Sequence, residues 1–451
     1  MSGFSLIFKN TLNRSAKISS ICVHPCTIFT NAVFFKHLLR KRGRERLLSK
    51  NLIKPGKVLE VKVEKIVPNG FGLAFAEGLT VFVSLAAAGD LLKVKVTQQK
   101  GKTAFAEIVE IIEPSGERTR PPCEYFGRCG GCDFQQMNYE AQLRAKVGIL
   151  RDCLVRIGKI DYKHEIKIEA SSQDFGYRSR AQWHLDTRRR RIGYFRRNSH
   201  EVIDVADCPI LTPELQKTLA DLRENTAWDE FWAERVEIEA ANSAGKVSVY
   251  SAELVEPTAE ISFALGENRY FYDARSFFQG NAFLIETLVE NALQHAEGRR
   301  ALDLYCGVGL FTLPLARRFE RVAGVEAGER AVESARKNIE NARLETAEIH
   351  TAPVGEWLTE NVADLSGVDF ILLDPPRAGA EKETIEQILK IKPARIAYVS
   401  CEPSTLARDL RLLCENVYEI EQITALDLFP QTHHVETVVH LKNTCKSENQ
   451  T

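Results

Sequence analysis

Two adjoining segments constrain this chain most: "RRALDLYCGVGLFTLPLARRF" at 299–319 and "RVAGVEAGERAVESARKNIENARL" at 321–344. Each reads as an apolar run, a turn and a helix-periodic stretch, an alternation that builds a parallel sheet with helices on its faces. The first run ends at Tyr305-Cys306 before a Gly307-x-Gly309 turn, and Glu326 closes the second run about twenty residues after the glycines. Doubly wound sheets bind ligands over the carboxyl ends of their strands, where an acid closing the second strand can hold both hydroxyls of a ribose. The further glycine of a dinucleotide fingerprint is absent. "DFILLDPPRAG" (369–379) and "RIAYVSCEPSTLARD" (395–409) supply two more strand ends, and the set specifies S-adenosylmethionine rather than NAD.

At 451 residues the chain is too long for one core, so about three packed units are expected. No apolar run is long enough to span a membrane. Eleven cysteines without a convincing secretory signal place the protein in a reducing, cytoplasmic setting, where clustered thiols act as metal ligands or nucleophiles. Net charge of −1 means that any nucleic-acid surface must concentrate positive charge locally. Residues 1–50 are basic: a disordered extension or upstream-extended start, with a transit peptide or an RNA-touching arm as alternatives. Cys22 and Cys26 receive no role. From Pro55, "KVLEVKVEKIVPNGFGLAFAEGLTVFV" and "LLKVKVTQQKGKTAFAEIVEII" alternate with period two, which predicts a small antiparallel barrel over 51–114 of a kind that often carries oligonucleotides.

"CEYFGRCGGCDF" spaces Cys123, Cys129 and Cys132 as C-x5-C-x2-C, with Gly130-Gly131 allowing a tight fold, and Cys208 is the best fourth ligand. Four thiolates suit an iron–sulfur cluster or tetrahedral zinc; three on one loop and one remote favour [4Fe–4S]. A helix over about 135–158 follows, with Cys153 on its buried face and the catalytic domain as a surface that the helix could pack on. "YRSRAQWHLDTRRRRIGYFRRNSH" then reads as two strands joined by an Arg188, Arg189, Arg190, Arg191 turn, flanked by Arg178, Arg180, Arg196 and Arg197. Tyr194 and Phe195 interleave these arginines and Asp186 alone offsets them, a composition fitted to the phosphates and unpaired bases of RNA.

Methyltransferases that attack exocyclic amino groups place an aromatic residue after a D-P-P motif; here Arg377 follows Asp374-Pro375-Pro376. A cysteine one strand later, Cys401, suits a carbon target. C5 of a pyrimidine becomes nucleophilic once a thiolate adds to C6, and a base must later remove the C5 proton. Cys401 is therefore the expected nucleophile. Cys306 and Cys414 are read as packing cysteines, and His433 and His434 are left unassigned.

With "SFFQGN" at 276–281, "LLDPPRAG", "YVSCEPSTLARD" and "LDLFPQTHHVETVVHL", the chain from about Pro55 to Lys442 resembles the RNA uracil-5 methyltransferase family, most of all its branch acting on 23S ribosomal RNA. The barrel is similar to a TRAM domain. The resemblance implies Cys401 as nucleophile, Glu436 as general base, and cofactor contacts at Gln279, Tyr305, Glu326 and Asp374 beside the Gly307 and Gly309 turn. Two positions depart from the family pattern: Glu402 follows the nucleophile where Asn is common, and "IHTAPVGEW" lacks the polar residue expected near the third strand.

The expected organisation is a multidomain chain: barrel (51–114), a central α+β domain for the cluster and RNA (115–280), a Rossmann-like methyltransferase domain (281–443) and a tail (444–451). The expected activity is 5-methyluridine formation in 23S rRNA by a monomer acting on a uridine flipped from a single-stranded loop. Transfer-RNA uridine and RNA cytosine are the alternative targets, although Pro376 stands where cytosine enzymes place a cysteine. A non-catalytic RNA-binding iron–sulfur protein is the alternative from another class.

Overall fold

The computed structural model describes residues 55–253 and 258–444; the basic segment 1–50 and the tail from 445 lie outside them. β1 (Val58–Val67), β2 (Phe71–Ala76), β3 (Leu79–Val83), β4 (Leu91–Lys100) and β5 (Thr103–Glu113) close a barrel in the order β1-β2-β3-β5-β4. The period-two pattern is the cause: Leu59, Val61 and Val63 are buried while Val58, Glu60, Lys62 and Glu64 face out. Asn69 and Gly70 turn the first hairpin with φ of 68° and 71°. A Cβ on Gly70 would lie 3.2 Å from Phe134 and 3.3 Å from His433, so this turn presses directly on the rest of the molecule.

The cysteine loop follows, then α1 (Tyr139–Cys153), capped by Asn138, whose side chain accepts from the Ala141 N–H. The helix is shorter than the expected 135–158 because Gln135 and Gln136 hold the loop open, accepting from Cys123 N–H and donating to the Ala86 carbonyl. A π turn, Leu154–Gly158, closes its far end. β6 (Lys167–Glu169) pairs with a strand of the methyltransferase sheet. The expected unit 115–280 is thus divided in space: α1 and β6 join the last third of the chain, since Ile149, Leu150 and Cys153 share an apolar core with Tyr398, Leu406 and Leu410.

β7 (Arg180–Asp186), β8 (Arg191–Phe195), β9 (Val202–Asp204), β10 (Arg235–Ser243) and β11 (Lys246–Tyr250) form a separate sheet, order β11-β10-β7-β8-β9, with α2 (Pro213–Asn225) against it. The arginine turn is one residue tighter than expected, since Arg191 opens β8 opposite Asp186. The hairpin β12 (Ile261–Leu265) and β13 (Asn268–Tyr272) packs on the methyltransferase core through Ile261, Tyr270 and Tyr272.

That core runs α3 (Ile285–Ala292), β14 (Arg300–Leu304), α4 (Thr312–Ala316), β15 (Arg321–Glu326), α5 (Glu329–Asn341), β16 (Ala347–Thr351), α6 (Val354–Asn361), β17 (Phe370–Leu373), α7 (Lys382–Ile391), β18 (Arg395–Ser400), α8 (Pro403–Cys414), β19 (Tyr418–Leu426) and β20 (Glu436–Asn443). The sheet order is β16-β15-β14-β17-β18-β20-β19-β6. β14 to β18 are parallel and β20 runs antiparallel to β18. Phe370, Ile371, Leu372 and Leu373 are all fully buried, as a strand covered on both faces requires. The strand order reverses at β14, with β15 and β16 added on one side and β17 and β18 on the other, which opens a crevice over the carboxyl ends.

Candidate active site

Five strand ends meet in that crevice. β14 ends in Tyr305, held at φ 64°, and the turn continues through Gly307 and Gly309 with φ of 55° and 92°. A Cβ on Gly309 would press to 3.1 Å of Leu313, so glycine there lets α4 begin directly beneath the turn. At the end of β15 the Glu326 carboxylate accepts the Gly307 N–H at 3.2 Å and the Gly328 N–H at 2.7 Å, which draws acid and glycine turn together. The Tyr305 hydroxyl is occupied elsewhere: it hydrogen-bonds Glu381 and lies 3.3 Å from the Thr384 hydroxyl, both at the start of α7. Beneath the turn Asp303 is buried, takes the Thr312 hydroxyl, and is pushed up to about 7 by burial. Gln279 is buried on the segment knitted to the Arg178 loop, where Ser179 N–H donates to Gly280 O at 2.8 Å and Arg178 bridges Asn281.

The reacting groups gather at β17, β18 and β20. Cys401 follows β18, and Glu436 opens β20; antiparallel pairing of Ser400 with Thr437 sets them side by side. Burial pushes the Cys401 thiol up, the Glu436 carboxylate adds to the rise, and the Arg377 guanidinium opposes it. Glu436 is 2 % exposed with Oε1 unpartnered, and burial followed by the nearness of Asp374 holds its carboxyl well above the usual range. Asp374, after β17, is raised by burial to about 7. The buried Glu436 carboxyl, the partly buried Asp374 carboxyl and the partly buried Cys401 thiol, packed together, disfavour simultaneous ionisation, so the site holds protons that its chemistry can pass on. Glu402 is spent locally: its Oε1 accepts Ser404 N–H at 3.2 Å and Ser404 Oγ at 2.7 Å, capping α8. That helix steadies the neighbouring loop, for Asp409 accepts from Ala380 N–H (3.0 Å) and from Tyr398 OH (2.7 Å), and Thr405 donates to Arg377 O (3.1 Å).

Cys123, Cys129, Cys132 and Cys208 come into one neighbourhood. Burial and then Cys208 raise the Cys132 thiol; burial and then Cys129 push Cys208 up to about 12. The loop is strapped to β8 by Gly130 N–H to Phe195 O (2.9 Å) and to Cys132 O by Arg197 (2.6 Å), while Tyr125 OH takes Ala206 N–H beside Cys208. Among the described residues no group of three or more His, Cys, Asp or Glu closes to the radius of a single metal ion.

The arginines divide into two sets. Arg180 turns inward, donating to Ser276 O at 2.5 Å and Ala274 O at 3.0 Å, and Arg178 Nε donates to Arg180 O, so both organise the Gln279 segment. Arg188, Arg189, Arg190, Arg191 and Arg196 remain at the surface, but each has an acid: Glu234, Asp186, Asp229 and, shared by the last two, Glu201. Asp186 is therefore not their sole counterion: Glu201, just beyond the stretch, and Asp229 and Glu234 from further along the chain supply the rest.

Comparison with known proteins agrees with this geometry. Residues 233–444 match the family model of tRNA (Uracil-5-)-methyltransferase and residues 53–109 that of the TRAM domain. A 23S rRNA (uracil(1939)-C(5))-methyltransferase RlmD of Pseudomonas putida is 31% identical over 424 residues, covering 85% of this chain and 93% of its own. This chain belongs to the RNA uracil-5 methyltransferase family. An uncharacterized RNA methyltransferase of Aquifex aeolicus is 32% identical over 86% of this chain and 99% of its own. The crystal structure of Pyrococcus abyssi tRNA (uracil-54, C5)-methyltransferase in complex with S-adenosyl-L-homocysteine superposes with a TM-score of 0.67 and 26% identity, covering 85% of this chain and all of that one. Within the uracil-5 methyltransferase crevice, sequence reasoning read Arg377 only as the residue standing in place of an aromatic one and left His434 unassigned. Burial and then His433 hold the His434 imidazole well below its usual range, and its Nδ1 is unpartnered. Only the fold shows that Arg377 lies close enough to influence both Cys401 and His434.

Proposed function

We propose that this chain methylates C5 of a uridine in 23S ribosomal RNA through a covalent Cys401 adduct. The observation that carries the reading is the antiparallel register that sets Cys401 beside Glu436, with Asp374 and Arg377 facing both. The ribosomal target rests on the named activity of relatives such as those of Pseudomonas putida and Pectobacterium atrosepticum, each 31% identical.

Glu326 at the glycine turn fits a ribose diol, and a Cβ on Gly307 would meet open space, so the crevice suits S-adenosylmethionine. When bound, that cofactor supplies an electrophilic methyl group on a positive sulfonium. Cys401 begins as a thiol, because burial and Glu436 disfavour the thiolate; Arg377 favours its ionisation. Once the thiol proton has passed to water, the thiolate Sγ adds to C6 of a uracil turned out of its loop, and the electron pair displaced from the C5–C6 bond makes C5 the nucleophile that receives the methyl group. Glu436, as carboxylate, then takes the C5 proton, the C5–C6 bond re-forms, and the C6–S bond breaks to return the thiolate. Asp374 stands where it can hold the reacting end of either ligand.

The four cysteines would hold a [4Fe–4S] cluster, with zinc as the alternative: Cys208 and the 123–132 loop are near enough for the thiols to raise one another, and three ligands on one loop with a remote fourth suit a cluster. Its role is structural, joining the 123–132 loop to the strand end at Cys208. RNA would lie across the barrel and the arginine turn, and the monomer would work in the cytoplasm.

Nucleoside mass spectrometry after incubation with unmodified 23S rRNA and with unmodified tRNA tests the target. The expected result is 5-methyluridine in the ribosomal RNA only. Methylation confined to tRNA would move the substrate, and 5-methylcytidine would overturn the assignment of the base.

A further inference from the structure

The loop 427–435, which carries the chain from β19 to Glu436, is held by side chains drawn almost entirely from the first half of the molecule. Lys146 of α1 binds Asp427 and donates to Phe429 O at 2.9 Å; Tyr177 OH donates to Pro430 O at 2.9 Å. Gln142 grips Gln431 twice at 3.0 Å, once through the Gln431 N–H and once through its side-chain oxygen. Gln431 takes a left-handed φ of 69°, which the two-point grip maintains.

The hold nearest to the base comes from the cysteine loop. Asp133, directly after Cys132, donates its N–H to Gln431 O at 3.1 Å, and the Phe134 N–H joins it at 3.0 Å. The Asp133 carboxylate meets His433 Nδ1 at 2.5 Å, and the His433 ring lies against His434 with centroids 4.1 Å apart. His434 is two residues before Glu436. The Gly70 turn of the barrel closes the other side, its Cβ position lying 3.3 Å from His433 and 3.4 Å from Asp133. Three parts of the chain thus converge on one imidazole outside the reacting groups.

We propose that His433, held by Asp133, is a positioning residue for the general base: it fixes the approach of the loop to β20 and thereby aims Glu436 at the C5 proton. The inference rests on the reading of Glu436 as that base. The Asp133–His433 hydrogen bond does not touch the glycine turn or Cys401, so its loss acts on elimination and leaves cofactor binding and adduct formation in place.

The test compares His433→Phe, which keeps a ring against His434 but removes the donor, with His433→Asn, which keeps a donor near the Nδ1 position. Asp133→Ala and Glu436→Gln run in parallel, each with RNA and S-adenosylmethionine, and the readout is the RNA–protein adduct that survives denaturation, with cofactor affinity measured separately. The expected result is adduct accumulation in His433→Phe and Asp133→Ala, elimination about tenfold slower, unchanged cofactor affinity and near-normal release in His433→Asn. The Asp133→Ala/His433→Phe double variant should be no worse than either single one. If Glu436→Gln traps adduct and His433→Phe does not, the positioning role is overturned and the base stands. If neither traps adduct, the reading of Glu436 falls and this inference with it. Equal trapping by Phe and Asn, or a parallel loss of cofactor affinity, would also overturn it, since bulk or general loosening would then be the cause.

Discussion

Ser400 and Thr437 stand opposite one another across β18 and β20, one residue before Cys401 and one after Glu436. The proposed nucleophile and base are thus placed by a sheet register, which a one-residue slip would destroy by turning every side chain to the other face. Cys401→Ala should abolish methyl transfer while cofactor affinity changes less than about twofold, because the thiol acts on the base and not on the sulfonium. Glu436→Gln should form methylated adduct that fails to release. Denaturing gels with labelled RNA check both, and full turnover by Cys401→Ala would end the covalent mechanism.

Asp303 provides a pH test. Burial raises its carboxyl from the ordinary 3.8 to about 7, so the folded state binds a proton that the unfolded state has lost, and stability falls as pH rises through that window. Asp374 and Glu436 shift in the same direction. The cofactor-free protein should therefore melt higher near pH 5 than near pH 8. Asp303→Asn should raise stability at pH 8 by on the order of 2 kcal/mol, with the gain gone by about pH 4. Calorimetry across that range checks it; an Asp303→Asn variant that melts below the parent at pH 8 would make the Thr312 bond to the carboxylate the dominant effect.

Lys146 and Asp427 form an ion pair whose side chains are both fully buried. Lys146→Met should cost about 3–5 kcal/mol, because it leaves a charge with no counterion in the interior. Adding Asp427→Leu should recover much of that loss in chemical denaturation, while activity stays low because the loop before Glu436 is released. A double variant no more stable than the single one would contradict this.

Protein purified without oxygen from its native host should be brown and contain iron and sulfide, about four of each per chain. Zinc in stoichiometric amount with no iron would reverse the assignment of the four cysteines. Cys208→Ser should lower solubility and RNA affinity more than it alters the rate of methyl transfer once RNA is bound.

Arg188, Arg190, Arg191 and Arg196 carry exposed ion pairs worth little to stability, and the buried Asp186 keeps Arg235 when Arg189 is lost. Replacing Arg188–Arg191 with Gln should leave the melting temperature nearly unchanged, raise the apparent KM for an RNA fragment, and flatten the salt dependence of binding by about 0.7–0.9 for each phosphate no longer neutralised. An unchanged salt slope would move RNA docking to the barrel.

The sequence by itself determined the elements and the chemistry that each strand end carries. Period-two runs made the barrel strands, and the unbroken apolar stretch of β17 could only be a strand covered on both faces. The glycine turn, Glu326 and Cys401 were legible because backbone conformation and strand position depend on near neighbours. Tertiary structure alone decided what surrounds them. Arg180 looked like its neighbours in the chain yet turned inward to hold 274–276, while the surface arginines found Glu201, Asp229 and Glu234 across loops. The packing of the helix at about 135–158 on the catalytic domain was open to the sequence, but which side chains make that wall, Ile149, Leu150 and Cys153 against Tyr398, Leu406 and Leu410, was not. Asp133, Gln142 and Lys146 lie some three hundred residues from the loop that they hold. Such pairings have no local period, because burial and hydrogen bonding act through space, and only the folded sheet brings the two ends of the chain to Glu436.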